Sequence, residues 1–111
     1  MPFELPKCKV TVLKRMVNQD LADEYLDAES EFGACERFSD GQEFVIEHPF
    51  VMPDDFCPWA WADIRKDILT VAAGGDLPWM KRRGTVLAGC TDWLRPVIFK
   101  VERMDSSTQQ G

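Results

Sequence analysis

The sequence predicts a small two-layer α+β domain, a mostly antiparallel four-stranded sheet with two helices on one face. Three observations carry this expectation. A chain of 111 residues has room for one domain, and 45% hydrophobic residues are enough to build a core without staples. Segments with strand and helix periodicity follow in the order strand, helix, strand, helix, strand, strand. The last two strand segments are separated by a short connection, which makes them an antiparallel hairpin.

The first strand is Lys7-Cys8-Lys9-Val10-Thr11-Val12, whose strict alternation puts Cys8, Val10 and Val12 on one face and leaves the other wet. Asn18 is placed to N-cap a helix in which Leu21, Tyr25 and Ala28 recur at helical spacing. Residues 18–31 carry Asp20, Asp23, Glu24, Asp27, Glu29 and Glu31 and no base, the pattern of a solvated acidic face. Residues 30–41 read as a loop, punctuated by Gly33 and Asp40-Gly41. Residues 42–48 alternate again and set Phe44, Ile46 and His48 on one face.

After Pro49, Pro53 and Asp54-Asp55, the clearest helix start is Cys57-Pro58, because proline at the first helical position gives up an N–H that would be unpaired anyway. Trp61, Ile64, Ile68, Val71 and Ala72 then form an apolar stripe, and Gly74-Gly75 ends it. A Pro78-Trp79 turn and the basic run Lys81-Arg82-Arg83 lead to strands at 85–90 and 95–103, joined by Thr91-Asp92-Trp93-Leu94. Pro96 suggests an edge strand or the first residue of a ladder. Residues 1–105 are read as the single domain and 106–111 as a polar tail. Such a layer leaves one sheet face open, and covering it with a second copy predicts a homo-oligomer.

Composition narrows the function. Thirteen basic and nineteen acidic residues give 13 − 19 = −6, which argues against a nonspecific grip on nucleic acid or on an anionic membrane. No apolar run approaches the roughly 20 residues of a membrane span. Residues 1–9 hold no hydrophobic region of a secretory signal, so a cytoplasmic protein with reduced thiols is expected. Cys8, Cys35, Cys57 and Cys90 include no C-x-x-C pair, so a metal site would need the fold to gather distant cysteines.

Chemistry-bearing residues concentrate in two short stretches. In Phe56-Cys57-Pro58-Trp59-Ala60-Trp61-Ala62-Asp63, Trp61 belongs to the buried stripe, while Trp59 is left to line a cleft or an interface. Asp63, four residues on, shares the face of Trp59, as a carboxylate beside an aromatic wall or as a surface residue. Cys57 lies at a helix N-terminus, where the macrodipole favours a thiolate and Asp54 and Asp55 oppose it; a small buried cap is the plainer reading. In Cys90-Thr91-Asp92-Trp93-Leu94-Arg95, Asp92 and Arg95 either pair with each other or form a clamp for a carboxylate or phosphate. His48 is the only histidine, so a thiolate site for zinc, copper or iron would draw on Cys35, Cys57 and Cys90, with or without His48.

Four blocks together carry a resemblance: Gly33-x-Cys35 with Gly41-Gln42-x-Phe44, the Phe56–Asp63 block, Gly74-Gly75-x-x-Pro78-Trp79, and Cys90-Thr91-Asp92-x-x-Arg95-Pro96-Val97-x-Phe99-Lys100. They resemble a family of short, mainly prokaryotic proteins with no settled activity, over roughly residues 8–103. That family's pattern has a second cysteine before the Cys-Thr-Asp block and a glycine after it, where this chain has Gly89 and Trp93. The resemblance implies that the motifs form one unit and implies no reaction.

Three functional expectations follow. The first is a small-molecule protein, in its catalytic form a cofactor-free enzyme, with Cys57, Asp63 and Asp92 as catalytic groups. In that reading Trp59, Trp61, Trp79, Cys90 and Arg95 hold a ligand, anionic if Arg95 anchors it. The second is the thiolate metal or redox protein. The third is an oligomerising module with its tryptophans at subunit contacts.

Overall fold

β1 (Cys8–Arg15) and β4 (Val97–Arg103) pair antiparallel at the centre of a four-stranded sheet. β2 (Glu43–Ile46) flanks β1 and β3 (Thr85–Gly89) flanks β4, both antiparallel. The structure is a computed structural model that describes residues 5–27 and 32–104. With α1 (Gln19–Tyr25) and α2 (Pro58–Ala72), the elements fall in the predicted order. The tail at 106–111, and Ala28, Glu29 and Glu31 of the predicted acidic helix, lie outside the described residues.

Alternation explains the core. Cys8, Val10 and Val12 of β1 stand beside Phe44 and Ile46 of β2 and beside Phe99 and Val101 of β4, and all are buried. α2 packs across β3, β4 and β1 and lays Ala60, Ile64, Ile68, Val71 and Ala72 onto this face. Burying one such isoleucine is worth roughly 1.5–3 kcal/mol, so this contact supplies much of what holds the two layers together. The outer face is wet, as predicted, and is laced by exposed or half-exposed pairs such as Lys9–Glu43 (3.7 Å), Lys9–Glu102 (3.8 Å) and Lys100–Glu102 (3.4 Å). Pairs of this kind add little stability and mainly keep the face soluble.

One irregularity of β1 has a local consequence. The register against β4 shifts between Val12 and Lys14, so Arg15 comes to lie opposite buried Val97 and on its face; strict alternation from Val12 would have turned it outward. Its guanidinium then donates to Asp40 at 3.0 Å and to the Cys35 carbonyl at 2.9 Å, tying residues 35–40 to the sheet.

The C-terminal end of α2 is closed by several groups. Gly74 takes φ +97°, a conformation that excludes most side chains and ends the helix as predicted. Arg103 donates to the Val71 carbonyl at 2.8 Å, which also accepts the Gly74 N–H at 3.1 Å, and Asp76 accepts the Gly84 N–H and pairs with Arg83.

Three local expectations are corrected. Pro96 precedes β4, which is a central strand, so the edge reading fails and the ladder begins one residue after the proline. Asn18 occupies the N-cap position of α1 but makes no side-chain cap bond; its Nδ2 donates to the Trp93 carbonyl and its N–H to the Leu94 carbonyl. α1 buries only Ala22 and leaves Tyr25 76% exposed, so its predicted stripe is not a core stripe. Among the described residues no helix is long and apolar enough to cross a membrane.

Candidate functional site

The start of α2 is built by sequence-local contacts. Phe56, just before the N-cap, packs edge-on against Trp61, the fourth helical residue, with ring centroids 6.0 Å apart. This is the geometry of a hydrophobic staple, which fixes the angle at which the chain enters the helix. Phe56 also joins Phe38, Phe44 and Phe99 in an aromatic cluster with centroid separations of 4.8–5.9 Å. Cys57 is the N-cap residue and Pro58 the first helical one; the Cys57 thiol makes no cap bond. Trp61 is therefore half-buried against the core, and Trp59, two residues earlier, is turned outward and 63% exposed.

Trp59 and Asp63 do share a helix face, and both reach the β3–β4 connection. The indole N–H of Trp59 donates to Thr91 Oγ1 at 2.9 Å. Asp63 Oδ2 accepts Thr91 Oγ1–H at 2.9 Å and Thr91 N–H at 2.7 Å. Two stretches 28 residues apart are thereby fastened together, which connectivity alone does not require.

The connection itself is held by Asp92. Its Oδ1 accepts the N–H groups of Leu94 and Arg95, each at 3.2 Å, and its Oδ2 pairs with Arg95 Nε at 3.3 Å. This side-chain-closed turn is the usual work of an aspartate in a loop. Cys90 lies at its start, where its thiol sulfur accepts the Val97 N–H at 3.3 Å.

Between the start of α2, this connection and residues 35–38 lies a cavity of about 510 Å³. Three thiols line it: Cys35, Cys57 and Cys90. Trp59, Trp93, Phe38, Ala60 and Leu94 supply apolar walls, and Arg37 and Arg95 bring positive charge. Arg37 is positioned by a hydrogen bond from Nη2 to the Phe56 carbonyl at 3.0 Å, directly before Cys57. Among the described residues the Arg95 guanidinium engages Asp92 through Nε at 3.3 Å.

Six residues predicted from sequence thus line one cavity: Cys35, Cys57, Trp59, Cys90, Asp92 and Arg95. Four others do not. Asp63 is spent on Thr91, and Trp61 faces the aromatic cluster. Trp79 is 74% exposed beside Met80, Arg82 and Lys100, at a separate shallow depression. His48 lies beyond β2, which stops at Ile46; it is exposed, and its Nδ1 accepts the Phe50 N–H at 3.1 Å. The alternation that placed it on the apolar face does not survive the bend after Ile46, because the strand ends there.

The three cavity cysteines also fall short of a metal centre, since among the described residues no group of three or more His, Cys, Asp or Glu side chains is disposed to hold a metal ion. Arg37, Phe38 and Trp93 were not predicted as site residues. Arg37 and Phe38 sit in a loop with no periodicity to reveal a facing direction, and Trp93 stood out only as a departure from a motif. Comparison with protein-family models, curated proteins and solved structures finds no match to this chain.

Proposed function

We propose that the protein binds a small organic anion with an apolar or aromatic body in the cavity at the start of α2. The observation that carries this reading is the co-lining of one cavity by Trp59 and Trp93 and by Arg37 and Arg95. Ligand sites are typically apolar concavities with a few placed polar groups, and a volume of about 510 Å³ suits a drug-sized molecule. Arginine is the cation of choice for carboxylate or phosphate beside an aromatic face, being planar, forked and weakly hydrated. In the catalytic form of this reading Cys57 is the group that meets the ligand. Asp63 and Asp92 act as supports for the hairpin connection, because their carboxylates are engaged there.

A cytoplasmic setting belongs to this reading, and all four cysteines are free thiols. So does a homo-oligomer, in which a second copy covers the outer sheet face where Val45 and Leu87 are exposed among the ion pairs. The test is a titration with aromatic and aliphatic carboxylates and phosphates, read by tryptophan fluorescence and by thermal stability. Binding should weaken about tenfold or more in Arg95→Ala, the usual cost of one charge-assisted anchor. A panel in which no member alters fluorescence or melting, or in which Arg95→Ala binds as well as the parent, would overturn the reading.

A further inference from the structure

The fold divides its four thiols into two kinds. Cys8 is 1% exposed in the core, its Sγ–H directed at the Ile68 carbonyl, and burial pushes its pKa up to about 11. Cys35, Cys57 and Cys90 are half-buried and line the one cavity that also holds Arg37 and Arg95. Thiol reactivity toward disulfides is governed by access and by the charges that meet the incoming reagent. Cys90 already receives the Val97 N–H, and its position is tied to the start of β4. Cys57 makes no cap bond, and Arg37 is fixed on the carbonyl of the preceding residue.

We propose that the cavity is a site of thiol–disulfide exchange with an anionic low-molecular-weight disulfide, and that Cys57 is the attacking sulfur. The proposal rests on the anion-binding reading above and names a reaction for it. The Cys57 thiolate attacks one sulfur of the disulfide, the Cys57 Sγ–S bond forms, and the S–S bond of the reagent breaks. The departing thiolate takes up the proton that Cys57 gave to solvent. Cys57 is oxidised as the leaving half is reduced, so the co-reactant supplies all the oxidising equivalents. Arg37 and Arg95 hold the carboxylates of the reagent, and the walls of Trp59 and Trp93 bound its path.

The experiment treats the full-length reduced protein with glutathione disulfide and, separately, with neutral hydroxyethyl disulfide near neutral pH. Adducts are located by peptide mass mapping over time. Cys57 should carry the first adduct, and Cys8 none until the chain is unfolded. The rate with the anionic reagent relative to the neutral one should exceed the same ratio in the urea-unfolded chain by about tenfold, the scale of electrostatic steering by a charged cleft. That excess should fall in Arg37→Ala and at high salt. First labelling at Cys35 or Cys90, or a Cys57 ratio equal to that of the unfolded chain, overturns the proposal. Carboxylate titration of the parent and of Cys57→Ser separates the two failures: binding in both with no exchange at Cys57 of the parent leaves the ligand reading standing and ends the exchange proposal, and no binding in the parent removes both.

Discussion

Asp63 accepts two hydrogen bonds from Thr91, one from its N–H at 2.7 Å and one from its hydroxyl at 2.9 Å, through the same carboxylate oxygen. Thr91 in turn accepts the indole N–H of Trp59. A tryptophan and an aspartate one helical turn apart therefore grip one threonine of the hairpin connection, and the two motifs that bound the cavity behave as one clamp. Removing the acceptor in Asp63→Ala strands two donors at a half-buried position. The expected loss is about 1–3 kcal/mol, read as a lower urea midpoint with unchanged slope. Asp63→Asn keeps one acceptor oxygen and should lose less than Asp63→Ala. Equal losses in the two variants would mean that the bond to Thr91 is not what Asp63 contributes.

The sequence spelled out the sheet and α2 because their side chains repeat with the period of the backbone: Cys8, Val10 and Val12 at two, Ile64, Ile68 and Val71 at three and four. Where facing direction comes from loop contacts, that signal is absent. Arg37 and Phe38 reach the cavity because Arg15 holds the carbonyl of Cys35 and Asp40, a consequence of a register shift that no alternation pattern announces. Residue type makes Asn18 a cap candidate, but a competing acceptor at Trp93 takes its side chain. The convergence of Cys35, Cys57 and Cys90 on one cavity is tertiary, carried by the Asp63–Thr91 clamp and by the Phe56 staple. The sequence located the two motifs and left their meeting to the fold.

Cys8 gives the protein an alkaline limit. Its pKa rises from 9.0 to about 11 because burial disfavours the thiolate, with the Arg103 charge working the other way. A group whose folded pKa is raised contributes stability that is complete below its unfolded value and is lost as pH climbs through the folded one. The window is therefore about pH 9 to 11, and a shift from 9.0 to about 11 corresponds to roughly 3 kcal/mol at about 1.4 kcal/mol per unit. Urea midpoints across that window should fall more steeply in the parent than in Cys8→Ala, which has no thiol to ionise. Parallel curves for the two proteins would refute the assignment.

Asp76 sets an opposite dependence at the acid end. The Gly84 N–H holds its carboxyl below the ordinary 3.8; burial opposes this, and the Arg83 hydrogen bond and the charges of Arg103 and Arg83 add to it. A depressed folded pKa contributes stability above the unfolded value, and that contribution disappears as pH falls through the folded one. Acidification from about pH 5 to about pH 2 should therefore lower the urea midpoint by a larger amount in the parent than in Asp76→Asn. The variant should already be weaker at neutral pH, because Gly84 adopts φ +70° and its N–H has Asp76 as acceptor. An acid slope that is the same in both proteins would place the acid sensitivity elsewhere.

Thr11 offers a substitution expected to stabilise. It stands in β1 opposite Glu43 and Lys100, and its hydroxyl oxygen is shut away from solvent with no hydrogen-bond partner among the described residues. A buried hydroxyl that has given up water and received nothing in exchange costs free energy, and replacing it with a methyl of similar shape removes that cost. Valine is also β-branched, so the strand-compatible rotamer is kept. Thr11→Val should raise stability by about 1 kcal/mol, the scale of one unsatisfied neutral group. For a chain of this size that is several degrees in melting temperature. A lowered melting temperature would show that the hydroxyl finds a partner in solution, and would mark the outer face around Glu43 and Lys100 as the place to look for it.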